Sequence, residues 1–230
     1  VSTIMGHVAI SKNVLEDTAG VTSIAPYLER QFASGYKIFE DTQFSVGNGV
    51  GGPQGILKDN STGGPYTYAY GSIVAVNSGN ATALTGDGIR NVPFGVATQY
   101  RMAGGMWLMS RGSVRAVRGL KDGNGNYLWA DRDQQLQNGQ PPQLEGFPIR
   151  ETETLASPTS TSVTTYTANV YPIIFITRGS YLIVDRASGM DVQRYDDSTT
   201  AKQNQIVLVL RRRVGGQVIL TWGISTLKLA

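Results

Sequence analysis

The amino-acid sequence predicts an α+β fold built around one long helix, on three observations. Ile24, Leu28, Phe32, Tyr36, Phe39, Gln43 and Val46 recur at steps of three and four residues, the stripe of a helix over about residues 23–46. From residue 144 onward the chain reads as strands punctuated by glycine turns. Its 230 residues hold no internal repeat and leave room for one large domain or two small ones.

Residues 2–10 read as a short strand, and Ser11 as the cap of a brief helical turn. In the long helix Pro26 falls in the first turn, where its missing N–H costs little, and Gly47 is a natural stop. At 1.5 Å per residue that helix is about 35 Å long, a spine on which other elements pack. Residues 47–65, rich in Gly, Asn and Pro, read as loop, and residues 66–78 as strand-like. Residues 88–103 are moderately helical, with Pro93 limiting where that helix begins. Residues 106–109 form a short apolar strand. Residues 110–120 form a helix with Arg111, Arg115 and Arg118 on one face, and residues 121–126 a tight turn. The polar stretch 130–143 is too long for an ordinary connection; it is expected to bind something or to pack against another chain. Later turns fall at Gly179, Gly189 and Gly215-Gly216, the last joining strands 204–214 and 217–228 in a terminal hairpin.

Charged residues make up 16% of the chain, against about 25% for an ordinary soluble domain, and glycine is in excess. Such a surface suits one covered by neighbouring subunits, although a plain β-rich domain has the same composition. The absence of cysteine excludes a disulfide scaffold, a Cys-ligated zinc site and thiol catalysis; the single histidine, His7, excludes multi-histidine metal sites. No apolar run approaches the roughly 18 residues of a membrane span, so no membrane partner is expected. A net charge of +3 is too small to argue for nucleic acid. Residues 121–200 carry six Lys/Arg and ten Asp/Glu, whereas residues 201–230 carry five Lys/Arg and no acid. Opposite signs on separate segments allow head-to-tail contact between copies, or pairing within one chain.

Motifs with chemistry are weak. Gly47-x-Gly49-x-x-Gly52 matches a dinucleotide string but follows a helix and runs into Pro53, so a flexible turn is the reading. Asp122-Gly123-Asn124-Gly125-Asn126 begins like a calcium loop. Tyr127 then stands where glycine is needed, and Asp133 where a bidentate Glu belongs. A Ser-His-Asp triad has only His7 to recruit. Glu151/Glu153 and Asp196/Asp197 are short acidic pairs of the kind usually solvated. Arg211-Arg212-Arg213, in a strand, projects to alternate faces and suits pairing with acids or guarding an edge better than reading bases. No enzyme is expected, and no cofactor or metal.

Several strings, in order, resemble the Hong Kong 97-type major capsid protein of tailed bacteriophages. Val8-Ala9-Ile10-Ser11-Lys12-Asn13 precedes the spine helix, and Phe44-Ser45-Val46-Gly47-Asn48-Gly49 with Pro53-Gln54-Gly55-Ile56-Leu57 follows it. Trp107-Leu108-Met109-Ser110 and Leu120-Lys121-Asp122-Gly123 resemble the middle block, and Leu144-Glu145-Gly146-Phe147-Pro148-Ile149 its turn. Arg178-Gly179-Ser180-Tyr181-Leu182 and the Arg-rich strand resemble the C-terminal part. The resemblance covers essentially all of the chain, but the family's N-terminal arm and extended hairpin have no counterpart. Such a core is expected to fold well and assemble poorly.

The resemblance implies a Hong Kong 97-type fold with a peripheral subdomain, residues 1–65 and 187–230, and an axial subdomain, residues 66–186. It implies a structural shell subunit that forms pentamers and hexamers of an icosahedral head enclosing DNA without sequence specificity. Its place is the virion capsid, assembled in the bacterial host cytoplasm, with scaffold, portal or decoration proteins as further partners. The encapsulin-type nanocompartment shell shares this fold and is the alternative. Residues 130–143, with Gln134, Gln135, Gln137, Asn138, Pro141 and Pro142, are placed at the capsomer centre; Asp196, Asp197, Asn204 and Arg211 are further interface candidates. Some family members weld subunits by Lys–Asn isopeptide bonds with a buried Glu as base. Asn204 falls at about the acceptor's place and Arg211 at about the base's. Arginine cannot take that proton, so a non-covalent shell is expected.

Overall fold

The computed structural model describes residues 2–14, 24–62, 71–102, 104–129, 143–159, 164–187, 189–197 and 202–230. Two compact units divide it: Val1–Gly55 with Ile183–Gln217, and Ile56–Leu182 with Val218–Ala230.

The first unit lays the long helix α1 (Ile24–Val46) on a four-stranded sheet. Strand β1 (Ser2–Ser11) runs antiparallel to β10 (Gln205–Val218), from Ser2 opposite Val214 to Ser11 opposite Gln205. On the other side of β10 lie β8 (Tyr181–Asp185) and β9 (Asp191–Tyr195), the latter antiparallel with Arg211 opposite Asp191. Burial alternates along β1, the mark of a strand with one covered face. Gly6 shows why that face admits the helix: a Cβ there would lie 2.8 Å from Cε1 of Phe32. In the helical stripe Tyr36 is buried, Leu28, Phe32 and Gln43 are half-buried, and Phe39 and Val46 are exposed. The helix stops at Gly47, whose N–H donates to Gln43 O and whose missing Cβ leaves room for Pro53 O.

The second unit is a seven-stranded mixed sheet in the order β2-β3-β11-β7-β4-β6-β5. Its strands are β2 (Asn60–Thr62), β3 (Ile73–Asn77), β4 (Gly105–Met109), β5 (Gln143–Leu144), β6 (Phe147–Glu151), β7 (Ile173–Thr177) and β11 (Ile224–Lys228). Period-two alternation sends Val74, Val76, Trp107, Met109, Ile173 and Phe175 into one apolar cluster. Ile73, Ile174, Ile176 and Ile224 go into the other. The first cluster is covered by α2 (Gly86–Asn91) and α4 (Arg111–Arg118), which contribute Ile89, Val114 and Val117. Each of these helices starts at a side-chain cap: Thr85 Oγ1 accepts from Gly88 N–H, and Ser110 Oγ from Ser113 N–H.

Several expectations need correction. The terminal hairpin does not form: β10 continues through Gly215-Gly216, and neither glycine has a left-handed φ. Strand β11 begins only after the 3₁₀ turn Thr221–Gly223 and pairs with β3 and β7. By the same pairing residues 218–230 fall in the second compact unit. The expected loop over residues 47–65 contains the 3₁₀ turn Ile56–Asp59 and β2, because Ile56 is buried in the second cluster. The helical stretch 88–103 is broken at Pro93 into α2, the 3₁₀ turn Val92–Gly95 and α3 (Thr98–Arg101). Ser11 ends β1 and the brief helical turn expected after it is present at residues 12–14, whereas the strand-like reading of residues 66–78 reduces to β3, with 63–70 outside the described residues.

Candidate subunit-interface residues

Asp196 and Asn204 come together where β1 ends. Lys12 Nζ lies 3.0 Å from Asp196 Oδ2, and Lys12 N–H donates to Asn204 O at 2.9 Å. The Asn204 carboxamide donates to Asn13 Oδ1 at 2.8 Å, and its φ of 52° is one that asparagine tolerates. Asp197 is exposed beside them. Arg211 lies elsewhere, seven residues along β10, exposed and in register between Met5 of β1 and Asp191 of β9. One of its amino groups is 3.5 Å from the Tyr195 hydroxyl. Gln134, Gln135, Gln137, Asn138, Pro141 and Pro142 lie outside the described residues.

The neighbouring arginine makes the stronger arrangement. Arg212 Nε stands 3.2 Å from Oε1 of Glu40 on α1, and its amino group donates to Asp185 Oδ2 at 2.5 Å. Burial pushes the Glu40 carboxyl above the usual carboxylate range, against the pull of Arg212. The hydrogen bond from Arg212 holds Asp185 below that range. Sequence reasoning assigned Arg211-Arg212-Arg213 to pairing with acids or to an edge. Arg212 does pair with acids, and β10 is central in its sheet. Glu40 was missed, although its spacing was visible: it falls four residues after Tyr36 and continues the buried stripe.

Apolar surface is left uncovered on the first unit. A groove of about 900 Å³ runs between β1 and α1, lined by Ile4, Val8, Leu28, Phe32, Phe39 and Pro53 among others, with no charged side chain among the described residues that line it. Met5, Ile38, Phe39 and Val50 are exposed around α1 and the loop after it. The Gly47–Gly52 string serves as helix stop and turn, with left-handed Gly49 and Gly51. Asp122 folds onto its own turn, Oδ1 accepting from the N–H groups of Asn124 and Asn126. Among the described residues no group of His, Asp or Glu is placed to hold a metal ion.

The phage capsid family matches residues 1–229. Among solved structures, the capsid of an empty GTA particle, computed with C5 symmetry, superposes with a TM-score of 0.85 at 27% identity. That match covers 100% of this chain and 74% of the other. The SrpI encapsulin of Synechococcus elongatus PCC 7942 gives 0.66 at 12% identity, covering 100% of this chain and 74% of its own. Mycobacterium phage Bobi gives 0.60 at 16% identity, over 99% and 71%. At those lower identities the likeness is one of fold. No curated protein matches.

Proposed function

Because the chain belongs to the phage capsid family, we propose that it builds the pentamers and hexamers of an icosahedral head that encloses DNA without reading its sequence. It is a major capsid shell subunit with a Hong Kong 97-like fold, a structural protein of the virion capsid. The match over residues 1–229 carries this, joined to the superposition on a GTA capsid at 27% identity. Among the described residues no helix is long and apolar enough to cross a membrane.

In this reading the unit holding α1 is peripheral and the seven-stranded unit axial, with residues 130–143 at the capsomer centre. Neighbouring copies then cover the charge-poor surface, including Met5, Ile38 and Val50, and meet at Asp196, Asp197, Asn204 and Arg211. Assembly takes place in the host cytoplasm, with scaffold, portal and decoration proteins as partners. The test is expression of the whole gene product in bacterial cytoplasm, followed by sedimentation and electron microscopy. Closed shells or rings of five and six subunits are expected; a monomer at every concentration sinks the reading. Particles that carry an enzyme in place of DNA would favour the encapsulin-type shell.

A further inference from the structure

Glu40 sits where the buried stripe of α1 meets its sheet, one turn beyond Tyr36. The residue is 9% exposed. Arg212 of β10 is the cation that acts on it, with Nε 3.2 Å from Oε1. The two are close without being aligned: both atoms are buried, and neither has a hydrogen-bond partner among the described residues. The same guanidinium is engaged by Asp185 of β8, a second carboxylate that repels Glu40. Tyr36, the other titratable group here on α1, gives its hydroxyl proton to Leu210 O at 2.9 Å. Strand β1 brings no charge to this face, having Ile4 and Gly6 opposite Arg212 and Leu210, while its histidine, His7, is exposed on the alternate positions of the strand. Ionised Glu40 is therefore a buried charge that shares one arginine with a better-placed competitor, and burial outweighs such a partial pairing.

We propose that Glu40 makes the seating of α1 proton-dependent, the helix holding its sheet more firmly when Glu40 carries a proton than when it is ionised. Burial is the largest influence on this carboxyl and lifts it above the ordinary value of 4.5, Arg212 notwithstanding. A group that binds its proton more firmly in the folded chain adds stability as pH falls from the raised value toward the ordinary one. That contribution is lost as pH rises through the raised value. Asp185 moves the other way and stays ionised through this window, so it retains Arg212 when Glu40 is neutral. Ile38 and Phe39 are exposed on the same turn of α1, so a change of seat alters the surface the helix presents. The proposal concerns a single chain and stands apart from how copies assemble.

Thermal unfolding of the full chain and of Glu40→Gln, from about pH 8 to about pH 5, tests it. The amide keeps the shape and removes the charge. The variant is expected to melt about 2–4 °C above the wild type at the upper pH, with the gap closing toward the lower. A variant equal to or less stable than the wild type at the upper pH overturns the proposal, because the Arg212 pair would then outweigh burial. Amide exchange on the unmodified chain gives an independent reading. After correction for intrinsic rates, protection in α1 should rise relative to β7 as pH falls; flat or falling protection overturns the proposal equally.

Discussion

The hydroxyl of Tyr36 donates to the carbonyl oxygen of Leu210 at 2.9 Å, tying the middle of the long helix to the central strand of its sheet. Both residues are buried, so water does not compete for the bond. Tyr36→Phe keeps the ring and deletes the donor, leaving a buried carbonyl one partner short. A loss of about 1 kcal/mol is expected, read as a lower urea midpoint with an unchanged slope. An unchanged midpoint would show that the bond contributes nothing net.

Gly105 is a second position where a single atom decides. A Cβ there would lie 2.4 Å from Cζ of Phe175, with Cε1 and Cε2 at 3.0 and 3.2 Å. That ring is wholly buried and held edge-on by Trp107 at 5.1 Å and Phe147 at 5.0 Å, so it has nowhere to move. Gly105→Ala should cost about 1–3 kcal/mol by overpacking. Gly123→Ala is the control, since a Cβ there meets nothing within 4 Å, and should stay within about 0.5 kcal/mol. Equal melting temperatures for the two variants would refute the packing argument.

Asp122 is held by its own turn. Its Oδ1 accepts from Asn126 N–H at 2.8 Å and Asn124 N–H at 2.9 Å, and Asn126 Nδ2 donates to Oδ2 at 3.2 Å. These donors, Asn126 foremost, keep the carboxyl below its ordinary 3.8. A depressed carboxylate supports the fold above its ordinary value and loses that support as pH falls through the lowered one. Carbon-detected NMR titration of Asp122 should give a midpoint below 3.8. A midpoint at or above it would mean the turn does not hold in solution.

The parts legible in the sequence were those fixed by local chemistry. The stripe from Ile24 to Val46 specified α1 because a long run at helical period has no competing explanation. Turns at Gly179 and Gly189 were read correctly, and both adopt left-handed φ, 83° and 64°. Gly215-Gly216 misled because glycine permits a turn without requiring one, and the partner of β11 is chosen by long-range pairing. At the candidate interface, Asp196 and Asn204 proved to be neighbours through Lys12 and Asn13, which no local pattern announces. Glu40 and Arg212 meet only because β10 passes under α1, so their pairing follows from topology.

Mature shells of this subunit are expected to be held without covalent links. An isopeptide bond forms when an uncharged lysine amine attacks an asparagine carboxamide, expelling ammonia while a carboxylate takes the proton in a dry site. Asn204 is exposed, and its carboxamide is already bonded to Asn13. About where the resemblance puts the base stands Arg211, which is exposed and, as an arginine, cannot take up that proton. Arg212 beside it is drawn inward to Glu40 and Asp185. Asp196, at this end of the sheet, is already paired with Lys12 at 3.0 Å. Denaturing electrophoresis of boiled particles should give a single band at the subunit's mass. Ladders of linked subunits would overturn the argument and would require a carboxylate from a neighbouring copy to reach Asn204.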